Sequence, residues 1–415
     1  MLQLLKKRSF FLYLLNHSVS SVGLGIHLFV LSWLVLDLTE STASLGWLLS
    51  ISSLPAILLS PFIGVFVDNW DRRYIVVFIQ LVKGLLFLSI PFLFASGSLS
   101  IYVLYGISFL AAIAERLYFP ASKGLMREIL TKEELLSANS MASVAMQIGM
   151  MIGSAVAGFL IFQIGGPYTI MVNAFLAFAS SFIVFFIRKG FILPKNEVGK
   201  KYESFVGEIK DGLTYLKQNI IILRLAILVA LTEFTIQIYN ILSVPFVRNE
   251  MNMGPEILGL LDTFFAWGAI VGGLTLTAIV NWIGRKNFMS IGLLLMGGTF
   301  AIIPFMQGLG SGAVIFFVFG ISLLQARTLY STTIHENVEQ HYQGRVNSFI
   351  YTMTSIFGFF IYALVGYIGE AVTAKELFHT VGLLIVGISV LVYFLSSKIL
   401  KINEGVAERV DTIAN

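Results

Sequence analysis

The chain has 415 residues, of which 57% are apolar and only 12% charged, with 27 Lys and Arg against 23 Asp and Glu. Roughly 25% charge is usual for a soluble domain, so this composition excludes an ordinary soluble enzyme, a disordered chain and a nucleic-acid binder. The net charge of +4 is no polyanion footprint, and without cysteine there is no disulfide, thiolate metal site or thiol nucleophile.

A helix needs about 20 apolar residues to cross a hydrocarbon core of roughly 30 Å. Twelve such runs follow one another, at roughly 10–36, 43–67, 72–95, 99–121, 137–162, 167–188, 219–247, 256–281, 287–307, 311–333, 345–370 and 375–398. They are apolar on nearly every side, unlike the short alternating strands of a barrel. The fold expected is all-α, a polytopic membrane protein of twelve transmembrane helices. The basic start, Met1 to Arg8, lacks the cleavage site of a removable signal peptide, so the first span is expected to be retained.

Cations fall overwhelmingly on one side. Lys6, Lys7, Arg8, Arg72, Arg73, Lys123, Arg127, Lys132, the cluster from Arg188 to Lys217, Arg285, Lys286, Arg345, Lys398, Lys401 and Arg409 lie there, against Arg248 and Lys375 on the other. The positive-inside rule then puts both termini in the cytoplasm, and the localisation expected is the inner (cytoplasmic) membrane. The one long polar connection divides the spans six and six, giving bundles at 1–190 and 219–400, a linker at 191–218 and a tail at 401–415. Within the linker, Tyr202, Phe205, Ile209, Leu213 and Leu216 have helical spacing, as expected of an amphipathic helix on the inner leaflet or a solvated linker helix.

The halves repeat. Val67 to Arg73 matches Val280 to Lys286, Gly106-Ile107-Ser108 matches Gly320-Ile321-Ser322, and Asn139-Ser140 with Gly158 return as Asn347-Ser348 with Gly366, at offsets of 213, 214 and 208. A duplicated six-span unit is a transporter architecture, with substrate bound between the repeats near mid-bilayer.

The loop after the second span carries Gly64, Asp68, Asp71, Arg72 and Arg73. A glycine permits close helix packing, an aspartate suits a helix N-terminus, and the arginines suit carboxylates or phosphates. This loop resembles the signature of the Major Facilitator Superfamily, with Asn69 departing from the family's basic residue. The resemblance implies two pseudo-symmetric six-helix bundles and a conformational latch at these five residues. Asp71, with Phe119-Pro120-Ala121, Glu133-Glu134-Leu135 and Ala138-Asn139-Ser140, is similar to the branch of macrolide-efflux and enterobactin-export proteins. Gly149-x-x-x-Gly153 and Gly158 look like a degraded antiporter motif, or simple close packing.

Ionisable groups inside spans are costly and mark function. Glu115 and Arg327 fall about 24 Å down the fourth and tenth spans, which suggests an inter-half gate between them; the alternative partner for Glu115 is Lys83. Glu233 and Asp262, with His27, fall about 9 Å from the outer surface. Glu233, Asp262, Glu115 and His27 are the proton-coupling candidates, since desolvated carboxylates suit a group that loads and releases a proton. In the implied fold, spans 1, 4, 7 and 10 line the cavity, which nominates Asn16, Tyr118, Phe234, Gln237, Asn240 and Gln325 for substrate. No phosphate loop and no metal-ligand histidine pair occur, so no enzymatic activity, cofactor or metal is expected.

The function expected is secondary transport: proton-coupled antiport of amphipathic drugs such as macrolides, or of a broader multidrug set, by a monomer in the lipid bilayer. The alternatives are export of a siderophore or lipid, and a non-transporting receptor on the same fold.

Overall fold

The computed structural model describes residues 2–188, 205–340 and 342–393. Among them all regular structure is helical. The helices are α1 (Arg8–Thr39), α2 (Thr42–Asn69), α3 (Arg72–Ala95), α4 (Ile101–Ile129), α5 (Leu135–Ile164), α6 (Gly166–Phe185), α7 (Phe205–Gln218), α8 (Ile220–Pro245), α9 (Pro255–Ile283), α10 (Arg285–Ile302), α11 (Leu309–Asn337), α12 (Gln343–Ile368) and α13 (Ala374–Tyr393). All except α7 are long and apolar enough to span a bilayer. The twelve spans of the sequence are therefore present.

Local chemistry sets the breaks between them. Ser41 and Asp71 accept hydrogen bonds from the backbone N–H of Ser44 and Arg73, starting α2 and α3. Thr131 and Glu134 form a reciprocal capping box ahead of α5. Pro245 ends α8 in a wide turn over Phe246–Glu250. Two helices run well past their apolar stretches: α4 continues to Ile129 and α11 to Asn337. Those extensions carry Glu128 and Glu336, which a scan for hydrophobic runs leaves outside the spans.

The helices cluster into two compact units. Unit 1 contains Met1–Phe205 with Ser243–Thr263 and Ser355–Ala371; unit 2 contains Val206–Leu242, Phe264–Thr354 and Val372–Asn415. Unit 1 thus includes segments from both halves of the sequence. Its core gathers Phe10, Tyr13, Val76, Tyr118, Leu125 and Ala138.

The expected amphipathic helix is α7. Its last turns dock on protein: the Tyr215 ring stacks on Tyr342 at 4.3 Å, Leu216 is fully buried, and Asp211 lies 3.5 Å from Arg345. This clamps the end of the linker to the connection between α11 and α12, within unit 2. Tyr202 and the side chains of Phe205 and Ile209 lie outside the described residues.

Candidate functional site

The basic pair of the signature loop opens α3. Arg72 meets Glu128 at the end of α4, at 2.9 Å, and its side chain lies across Gly124, where a Cβ would collide with it. Arg73 donates to the Ile187 carbonyl beyond α6, at 3.1 Å, and to the Tyr74 hydroxyl. The loop therefore ties the start of α3 to the ends of α4 and α6 within unit 1. Gly64 and Asp68 lie in the last turns of α2, and their side chains fall outside the described residues. In unit 2 the repeat recurs: Arg285 opens α10 and meets Glu336 near the end of α11 at 2.5 Å, and it also donates to Thr333. The glutamates were missed in the sequence, although each follows its arginine by a similar interval. Glu128 is far more enclosed than Glu336, at 10% against 49% side-chain exposure. Glu128→Ala should therefore be clearly the more destabilising, because it removes an enclosed charge-assisted contact, whereas Glu336→Ala should cost about 1 kcal/mol or less. Thermal midpoints of the purified variants check this.

A polar network crosses the middle of unit 1. Lys83 on α3 pairs with Glu115 on α4 at 2.5 Å and sits above the Tyr118 ring. The Tyr118 hydroxyl accepts from Asn16, Asn16 accepts from Ser180, Gln80 donates to Ser20, and Ser122 donates to Tyr13. Asn16 and Tyr118, nominated as cavity residues, are buried and hydrogen-bonded to each other here. His27 packs edge-on against Phe87 at 4.8 Å, and Asp262 is half-buried on α9.

In unit 2, Glu233 on α8 meets Arg327 on α11 at 2.7 Å. Each residue suggested for an inter-half gate is thus engaged inside its own unit, Glu115 with Lys83 and Arg327 with Glu233, because an opposite charge stands on a neighbouring helix. The pairing also corrects the depths inferred from span ends. Glu233 and Arg327 share one level, about 20 Å from the start of α8 and about 15 Å from the end of α11. Along α8 the polar face continues through Gln237 and Asn240, at i+4 and i+7. Asn240 is exposed and Phe234 half-buried; Gln237 donates to the Thr354 carbonyl at 3.4 Å, and its Oε1 is buried without a hydrogen-bond partner among the described residues. Gln325 is closed in, donating to Gly272 and Thr275.

The end of unit 1 remote from Arg72 is fastened by a set of contacts not anticipated from the sequence. Arg248 reaches Asp37 at 3.2 Å and donates to the Leu36 carbonyl at the end of α1. Glu370 accepts from the Ser41 hydroxyl at 2.7 Å and from the Ala43 N–H at 2.8 Å, capping α2. Beside this clasp, Gly366 on α12 faces Gly46 on α2, and Gly158 on α5 faces Gly259 on α9, backbone against backbone. The two crossings are repeat equivalents, since Gly46 and Gly259 are 213 apart and Gly158 and Gly366 are 208 apart. Gly149 and Gly153, by contrast, seat α5 on α1, against Ser18, Val22 and Gly25, which accounts for the resemblance to an antiporter motif by packing.

The Ala43 amide and Ser41 hydroxyl hold the Glu370 carboxyl below the usual glutamate range. A depressed value in the folded state means that this contribution is complete above the ordinary glutamate value and is lost as pH falls through the lowered one. Because the chain has no native cysteine, a single cysteine replacing the buried Ser50 reports on the clasp. Alkylation needs the thiolate and slows for any cysteine as pH falls, so the readout is the rate relative to the same cysteine in the Glu370→Gln background at the same pH. At neutral pH Glu370→Gln should be alkylated several-fold faster, and the difference should close on acidification as Glu370 itself is protonated.

The sequence profile of the Major Facilitator Superfamily matches residues 13–361 and 225–411. An uncharacterized MFS-type transporter, YfiS of Bacillus subtilis (strain 168), is 24% identical over 392 residues, 91% of either chain. Macrolide efflux protein A of Streptococcus pyogenes is 24% identical over 333 residues, 78% of this chain and 80% of that one. Among solved structures, the nucleoside transporter NupG is similar with a TM-score of 0.74 at 15% identity, covering 95% of this chain and 99% of its own. Twelve spanning helices, a duplicated Arg–Glu tie and a profile match over most of the chain agree: this multi-pass membrane protein is a transporter, not an enzyme, and it belongs to the Major Facilitator Superfamily.

Proposed function

We propose that this transporter exports an amphipathic small molecule in exchange for protons, by alternating access of residues 1–190 against 219–400. It would do so from the cytoplasmic membrane, with both termini in the cytoplasm. The observation that carries the reading is the Glu233–Arg327 pair. A carboxylate at mid-span is costly unless it is used, and among the described residues this one is paired with Arg327, whose side chain is 53% exposed. With more than half of the arginine side chain uncovered by protein, a proton or a substrate charge can replace one partner without unpacking the helices. The polar face of Gln237 and Asn240 beside it suits a water-filled path better than lipid. Export is supported by relatives such as the macrolide efflux protein, and the orientation by the crowding of cations on one side.

Proteoliposomes with an imposed pH gradient and a panel of macrolides and amphipathic dyes test this. Wild-type protein should show gradient-driven flux of at least one compound. Glu233→Gln should lose the gradient-driven component. Flux in Glu233→Gln that still follows the gradient removes Glu233 as the coupling group.

A further inference from the structure

The charges at this site also define a substrate class, an inference that rests on the export reading for its direction but not for its binding chemistry. Arg327 brings five N–H donors, and one carboxylate can occupy two of them. Among the described residues Arg327 pairs with Glu233, and more than half of the arginine side chain is exposed. The guanidinium therefore keeps donors open to a ligand while still paired. Glu233 is less exposed, at 24%, but offers a second oxygen.

Consider what each kind of ligand does to this pair. A ligand carrying only a cation competes with Arg327 for Glu233 and leaves the guanidinium beside a like charge. One carrying only an anion competes with Glu233 for Arg327 and leaves the carboxylate uncompensated at mid-span. Either loss is expensive where water is scarce. A ligand bearing both charges close together opens the pair and satisfies both halves, its ammonium on Glu233 and its anionic group on Arg327. We infer that Glu233 and Arg327 form a recognition site for zwitterionic amphiphiles, with a basic nitrogen and a carboxylate or phosphate within one short headgroup. Proton exchange is preserved, because a proton on Glu233 removes the counter-charge for the ammonium and competes with the substrate.

The test uses purified full-length protein and three fluorescent probes of equal apolar bulk. These are Nε-dansyl-lysine, which is zwitterionic; its methyl ester, which is cationic; and its Nα-acetyl derivative, which is anionic. The zwitterion should bind at least about tenfold more tightly than either relative, the weight of one charge-assisted contact. Arg327→Gln should bring the zwitterion and the ester to similar affinity, and Glu233→Gln should do the same for the zwitterion and the acetyl derivative. The double variant E233Q/R327Q, which strands no charge, should elute as a single species in detergent and show no preference among the three. Displacement by dihexanoyl phosphatidylethanolamine, but not by its N-acylated form, would assign the site to lipid headgroups; displacement by free amino acids alone would assign it to soluble zwitterions. Wild-type protein that binds the ester as tightly as the zwitterion, or a preference that survives in Arg327→Gln, overturns the inference. Failure of every probe to follow a pH gradient would instead count against proton-coupled export, because the affinities are read without a gradient.

Discussion

Replacing Gly158 or Gly366 with valine should stop transport while leaving a folded protein that still binds ligand. At both positions the obstruction is backbone. A Cβ on Gly158 would run into the Pro255 carbonyl and lie 3.2 Å from the Gly259 Cα, and one on Gly366 would lie 2.8 Å from the Gly46 Cα. Backbone cannot move aside as a flexible side chain can, so the helices must separate. Overpacking of this kind costs about 1–3 kcal/mol, which shifts the balance between the fastened arrangement and any arrangement without the crossing by roughly 5- to 150-fold. Because the crossings join α5 to α9 and α2 to α12, segments from different halves of the sequence, they are contacts that the proposed rocking of the halves would make and break. Gly153→Val is the contrast. Its crossing with Gly25 on α1 lies within the first half, so that variant should lose thermal stability instead. The cysteine at Ser50 separates the cases: fast alkylation with an unchanged melting midpoint for Gly158→Val and Gly366→Val, a lowered midpoint for Gly153→Val. Unchanged turnover in both crossing variants would mean that these contacts take no part in the transport cycle.

Much of this architecture is legible in the sequence because membrane spans obey a coarse rule, length and apolarity, that composition alone satisfies. The repeat was legible for the same reason: Arg72 and Arg285 sit at matching places in matching loops. Partners were harder. Glu128 and Glu336 belong to helical extensions that are no longer apolar, so hydropathy stops short of them, and only the positions of α4 and α11 bring them to the arginines. Depth along a span was a poor guide to Glu233, because it assumes an upright helix starting at a sharp boundary; the contact with Arg327 fixes the level directly. Nor does any motif mark Glu370, a loop residue whose role comes from lying against the first turn of α2.

The buried pair in unit 1 separates structural charge from transport charge. Lys83 and Glu115 have side-chain exposures of 6% and 19%, so removing either partner leaves the other enclosed without its counter-charge. Lys83→Met or Glu115→Leu alone should each cost about 3–5 kcal/mol, whereas replacing both with apolar side chains should be close to neutral or mildly stabilising. Thermal midpoints of the two single variants and of K83M/E115L form a double-mutant cycle, and the expected result is a large coupling, the double variant being far more stable than the sum of the singles predicts. The informative measurement is transport by the double variant. If the pair is a strut that fixes α3 to α4, K83M/E115L should retain gradient-driven flux as well as stability. Should it instead fold normally and lose the response to pH, the coupling proton travels through Glu115 and not through Glu233. The contrast in exposure favours the strut: Arg327 is open to exchange partners over half its surface, while Lys83 is enclosed among α3, α4 and the Tyr118 ring. A group that must meet water on alternate sides of a membrane is better served by the first environment than by the second.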